Sequence, residues 1–92
     1  MVTTIGIDPH KATHTAVAID NAEQVLGELT VPADRYQTKR LMDWACQLDG
    51  DGRLWAIEAA GGLGYLLSQQ LVTRGEHVVD VPAVLASRVR VL

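Results

Sequence analysis

The sequence predicts an α/β fold built on a mixed sheet, and three observations carry that prediction. Three strand-like segments with tight connections open the chain, helical and strand periodicities alternate after them, and hydrophobic residues fill 48% of the 92 positions. That length suits one domain over residues 1–92, with no room for a second core.

Thr3 to Asp8 reads as a short strand, with Ile5 and Ile7 on one side and Thr4, Gly6 and Asp8 on the other. After a bend at Pro9 to Ala12, Thr13 to Ile19 is rich in β-branched residues and alternates Thr15, Val17 and Ile19 against His14, Ala16 and Ala18. Asp20 to Glu23 is a polar turn, and Gln24 to Val31 is a third strand carrying Val25, Leu26, Leu29 and Val31. Connections this short make the three an antiparallel meander.

Pro32-Ala33-Asp34 stops the strand and opens a helix, with Asp34 as N-cap and Gln37 as its capping-box partner. Leu41, Trp44, Ala45 and Leu48 form one apolar stripe at helical spacing, and Asp49 to Gly52 closes the helix in a loop. Arg53 to Glu58 is a fourth strand, apolar through Leu54, Trp55, Ala56 and Ile57, as in strands covered on both faces. Gly61-Gly62 leads into a helix from Leu63 to Arg74, with Leu63, Leu66, Leu67 and Leu71 inward and Gly75 as its stop. Glu76 to Val81 is a fifth strand, and Pro82 begins a last helix running to Leu92. The order β-β-β-α-β-α-β-α places helices on the faces of a mixed sheet.

The formal net charge is −3, which does not mark a nucleic-acid-binding domain, although basic residues bunch at Arg35, Lys39 and Arg40 and again at Arg88 and Arg90. Two solvated helix faces are the favoured account of those clusters on charge patterning alone. Cys46 is the single cysteine, so no internal disulfide is expected and a reducing cytoplasm is the expected home. No leader-like segment opens the chain, and no apolar run approaches the ~20 residues needed to cross a bilayer, so no membrane partner is expected.

Asp8 closes the first strand and Glu58 the fourth. If those strands are parallel neighbours, both carboxylates emerge at the carboxyl edge of the sheet, where open α/β folds place their sites. Hard oxygen ligands of this kind suit Mg²⁺ or Mn²⁺, ions that organise phosphodiester chemistry. The plainer reading stands beside it: Asp8 caps a turn before Pro9, and Glu58 is a charge favoured at a helix N-terminus. Asp80, at the end of the fifth strand, reads as a turn or capping residue. Lys11 could touch a substrate phosphate or simply sit in solvent. His10 and His14 are separated by a bend and lack a third ligand, which argues against zinc, and His77 reads as an ordinary strand residue. Gly61, Gly62 and Gly64 spell no nucleotide motif and are read as close backbone approach beside Asp8.

Ile5-Gly6-Ile7-Asp8-Pro9-His10-Lys11, with Trp55-Ala56-Ile57-Glu58-Ala59-Ala60-Gly61-Gly62-Leu63-Gly64-Tyr65 and the strand before Pro82, resembles the N-terminal domain of IS110-family transposases. The resemblance implies a RuvC-like enzyme of the ribonuclease H fold with a DEDD acidic tetrad. Asp8 then matches the first acid and Glu58 the second, as catalytic and metal-holding residues, with Lys11 at the family's Lys position. It also implies a magnesium or manganese cofactor, and DNA and a guide RNA as partners of a full-length protein that cuts and rejoins DNA. The family's last two aspartates lie on the helix after the fifth strand, and a separate C-terminal domain carries a serine that neither Ser68 nor Ser87 replaces. The chain is therefore read as a truncated fragment, inactive or nearly so by itself.

Two other functions fit parts of the sequence. Sugar-kinase and actin-like ATPases share this strand order and also begin with Gly-Ile-Asp, but their phosphate loop needs free amides where this chain has Pro9, His10, Lys11 and Ala12. A non-catalytic association module is the other, because Val84, Leu85, Val89, Val91 and Leu92 make the last helix apolar and predict a homodimer.

Overall fold

The computed structural model describes residues 2–48 and 50–82. Five strands and two helices follow one another as β1 (Val2–Pro9), β2 (Thr13–Ile19), β3 (Val25–Pro32), α1 (Gln37–Ala45), β4 (Gly52–Glu58), α2 (Tyr65–Thr73) and β5 (His77–Val81). The expected last helix, with Arg88, Arg90 and the apolar residues from Val84 to Leu92, lies outside the described residues.

The strands form one mixed sheet in the order β3-β2-β1-β4-β5. β1, β2 and β3 are the expected antiparallel meander, and β4 and β5 join parallel through α1 and α2. β1 therefore lies at the centre, with β2 on one side and β4 on the other. This is the mixed α/β sheet expected from the sequence and from the ribonuclease H-like resemblance.

Strand alternation decides where the core lies. Ile5 and Ile7 of β1, Ala16 and Ala18 of β2, and Trp55 and Ile57 of β4 are buried in one cluster with Leu41 and Ala45 of α1 and Leu67 and Leu71 of α2. Both helices therefore pack on the same face. Leu54 and Ala56, on the other face of β4, stay half-exposed, so the described residues cover this apolar strand on one side only.

Three local expectations change. Asp34 does not form a capping box: α1 begins after Tyr36, and no side chain caps it. Asp34 Oδ1 instead accepts the Tyr36 amide at 2.9 Å and the Arg40 guanidinium at 2.8 Å. Arg40, and then the Tyr36 amide, hold the Asp34 carboxyl below its ordinary pKa. Gln37 turns inward, where its Oε1 lies 2.8 Å from His14 Nε2. The inward set on the second helix is also smaller than expected. Leu67 and Leu71 are buried, but Leu63 lies in the turn before α2 and Leu66 sits on the outer side of the helix, and both are exposed.

Candidate active site

Ile7 of β1 pairs with Ile57 of β4 in parallel register, so the next residues, Asp8 and Glu58, stand side by side on neighbouring strands. Across β2, Asp8 faces Thr15, and across β5, Glu58 faces Val81. One row across four strands thus carries Thr15, Asp8, Glu58 and Val81.

Because alternate residues share a face, Asp8 and Glu58 point the same way as Gly6 and Ala56, away from the two helices. There they line a cavity of about 350 Å³ with Gly6, Ile7, Thr15, Val17, Ala56 and Val81. Gly6 and Ala56 keep its floor low, and Thr15 adds a hydroxyl oxygen to the two carboxylates. Hard oxygen donors converging on one open groove can hold a hard divalent cation and leave room for water and phosphate.

The turn after Glu58 fixes this edge. Ala59 adopts φ +54°, a left-handed conformation that costs a residue with a side chain about 1–2 kcal/mol. Its carbonyl then accepts the Gly62 amide at 2.8 Å and the Gly64 amide at 3.1 Å. Asp80 Oδ1 accepts the Ala60 amide at 3.0 Å, so Asp80 ties down this turn from β5, 20 residues away, and not the local turn before Pro82 read for it from the sequence. The close approach belongs to Gly64, packed against the end of β4 rather than beside Asp8.

Lys11 is exposed in the β1–β2 connection and is not among the residues that line the groove. Among the described residues, His10 is the basic side chain beside Asp8, its Nε2 4.0 Å from Asp8 Oδ2. Its place two residues after the acid is the signal the sequence carries for this contact. His14 faces the helices, only 3% exposed, so the two histidines serve different surroundings. The connection makes a poor phosphate cradle: Pro9 has no amide hydrogen, and the His10 amide is spent on Thr13 O at 2.9 Å. His77 is an exposed residue of β5, as read from its position.

A 44.8 kDa protein of insertion element IS116 from Streptomyces clavuligerus, described as uncharacterized, is 35% identical over 78 residues. The match covers 85% of this chain and 19% of that protein, so the chain spans about one fifth of the relative's length. The family model of the IS110-type DEDD enzymes, described as a transposase, matches residues 5–92. Enzymes of the DEDD kind use divalent metal in general, and transposases have DNA as a partner. The match reaches from the first strand to the last residue of the chain and includes both carboxylates, and the chain belongs to the DEDD transposase family of IS110-type insertion elements.

Proposed function

We propose that Asp8 and Glu58 form half of a divalent-metal centre, holding Mg²⁺ or Mn²⁺, with which a longer transposase cuts and rejoins DNA. One observation carries this reading: the register of β1 and β4 sets the two acids side by side over a single groove. Neighbouring strands are about 4.8 Å apart, a spacing at which two carboxylates can share one ion. When bound, the ion supplies a Lewis acid at a phosphoryl oxygen and lowers the pKa of a bound water.

The chain's own residues position the reacting strand. Asp8 and Glu58 would hold the ion at the strand end, Thr15 offers a hydroxyl beside Asp8, and the low floor at Gly6 and Ala56 lets a sugar-phosphate approach. Lys11 reaches a more distant phosphate from its loop, and His10 steadies Asp8. Two carboxylates complete only half of a tetrad, so the 92-residue chain alone does not cleave DNA. The remaining acids, the serine and the guide-RNA contacts come from the longer protein, which acts as a homodimer.

Amide NMR spectra recorded during Mn²⁺ addition test the centre. Paramagnetic broadening around residues 7–9 and 57–59 that disappears in Asp8→Asn and Glu58→Gln is the expected result. Broadening centred elsewhere, or unchanged in both variants, would overturn it.

A further inference from the structure

A second cavity of about 300 Å³ lies between α1 and α2, on the side of the sheet opposite Asp8 and Glu58. Its lining is Arg35, Thr38, Gln69, Gln70, Thr73 and Arg74, with no carboxylate among them. The acids of α1 and its approach are already engaged, Asp34 by Arg40 and Asp43 by Lys39. Arg35 and Arg74 form no ion pair among the described residues. Arg40 chiefly lowers the Asp34 pKa, and Arg35 lies close enough to help. The hydrogen bonds of that carboxylate go to Arg40 and the Tyr36 amide, so among the described residues no carboxylate is bonded to either guanidinium of the groove.

The floor of this groove is rigid and rich in donors. Gln70 Oε1 accepts hydrogen bonds from Gln37 Nε2 at 2.9 Å and from Thr38 Oγ1. Those two bonds orient the amide and leave its Nε2 hydrogens as unspent donors. Gln37 and Thr38 are 3% and 4% exposed, so the network is anchored in the core through His14. At the rim, the Arg35 guanidinium lies over the Tyr36 ring, 4.9 Å from its centre. Guanidinium forks beside amide donors, with no carboxylate, match the geometry of a phosphate.

We propose that the α1–α2 groove binds the phosphodiester backbone of a single nucleic-acid strand, distinct from any strand held at Asp8 and Glu58. A recess between two helices admits one strand, whereas a duplex is too wide to enter it. Positively charged grooves that track a backbone are the usual means of holding single strands. The sheet separates this groove from the carboxylates, so one strand cannot lie against both faces at the same residues.

Fluorescence anisotropy of the 92-residue chain with labelled single-stranded RNA, single-stranded DNA and the matching duplex tests the proposal, with EDTA present to silence the carboxylate face. Single strands of RNA, DNA or both should bind better than duplex, the tighter of the two naming the occupant. Arg35→Gln combined with Arg74→Gln should weaken binding about tenfold and lower the slope of log K against log salt by about 1.4, roughly 0.7 for each phosphate contact. Both side chains are exposed, so an unchanged melting temperature should accompany the loss. No single-strand binding at low salt, equal affinity in the double variant, or a preference for duplex would each refute the site. Displacement by inorganic phosphate at matched phosphate concentration would reduce it to a free-anion site and also refute it. Because metal is absent throughout, none of these failures bears on Asp8 and Glu58.

Discussion

Gly64 stands so close to Ile57 that a Cβ built on it would lie 2.7 Å from Ile57 Cγ2. The same Cβ would be 3.2 Å from the carbonyl oxygens of Glu58 and Ala59. Ile57 is fully buried and the other two contacts are backbone, so nothing nearby can swing aside. Gly64→Ala should therefore cost about 1–3 kcal/mol, the usual penalty of overpacking. Gly62→Ala, whose Cβ meets only ordinary contacts at 3.7 and 3.8 Å, should leave the urea midpoint nearly unchanged.

Ala59 stores strain directly after the candidate ligand Glu58. Glycine removes the steric penalty but loosens the unfolded chain, and the two effects partly cancel. Ala59→Gly should be neutral or stabilising by up to about 1 kcal/mol, whereas Ala59→Val should destabilise by about 1–2 kcal/mol, because a branched Cβ tolerates this region worst. Thermal unfolding of the two variants checks the order. A Val variant as stable as Ala would show that the turn relaxes out of the left-handed region.

The sequence made the sheet legible because strand periodicity and turn residues are local signals. Ile5 and Ile7, or His14, Ala16 and Ala18, announce a buried face without any tertiary information. The adjacency of Asp8 and Glu58 needed one further step, the parallel pairing of β1 with β4, and strand order supplied it. Gln37 was misread because its position three residues after Asp34 is a local pattern, while its real partners, His14 and Gln70, are 23 and 33 residues away. Leu63 and Leu66 were misread for the same reason. Leu63 lies in the turn before α2 begins at Tyr65, and Leu66, inside α2, falls beside the buried stripe of Leu67, Ser68 and Leu71.

The polar core network gives a sharper test of that misreading. His14 is 3% exposed and its Nε2 donates to Gln37 Oε1, while its buried Nδ1 has no hydrogen-bond partner among the described residues. Gln37→Leu removes the acceptor and strands the His14 donor, which should cost about 1–3 kcal/mol. His14→Leu added to it should recover part of that loss, since replacing both partners with apolar groups removes the unmet polar atoms. A double-mutant cycle by urea denaturation measures the coupling. Strict additivity would mean that the bond contributes nothing specific.

Glu76 fastens the opposite edge of the sheet. Its Oε1 accepts from Arg53 Nε and Trp55 Nε1, both at 2.8 Å, and its Oε2 accepts from Arg53 at 3.1 Å. Arg53 above all, with help from the Trp55 indole, lowers the Glu76 pKa below its ordinary 4.5, against the opposing effect of burial. A carboxylate whose folded pKa is depressed contributes stability above its unfolded pKa and loses it as pH falls through the folded value. Glu76→Gln should thus destabilise by about 1.5–3 kcal/mol at pH 7, the range for hydrogen bonds to charged groups. The difference should shrink as pH drops below about 4.5 and vanish once Glu76 is protonated in both states. A constant difference from pH 7 to pH 3 would assign the loss to packing instead.

Asp8 and Glu58 place two carboxylates side by side at the carboxyl edge of the sheet. Like charges facing each other on neighbouring strands destabilise by about 0.2–1 kcal/mol, so Asp8→Asn should raise the melting temperature slightly when EDTA is present. Metal reverses the order, because an ion bound only by the folded chain stabilises it by about 2.7 kcal/mol at 100 times its Kd. Added Mn²⁺ should therefore raise the melting temperature of the unmodified chain and leave Asp8→Asn and Glu58→Gln where they were. If the single variants kept the full shift, the ion would be held by other ligands. If Asp8→Asn were less stable than the unmodified chain in EDTA, the acid would belong to the fold and not to a metal centre.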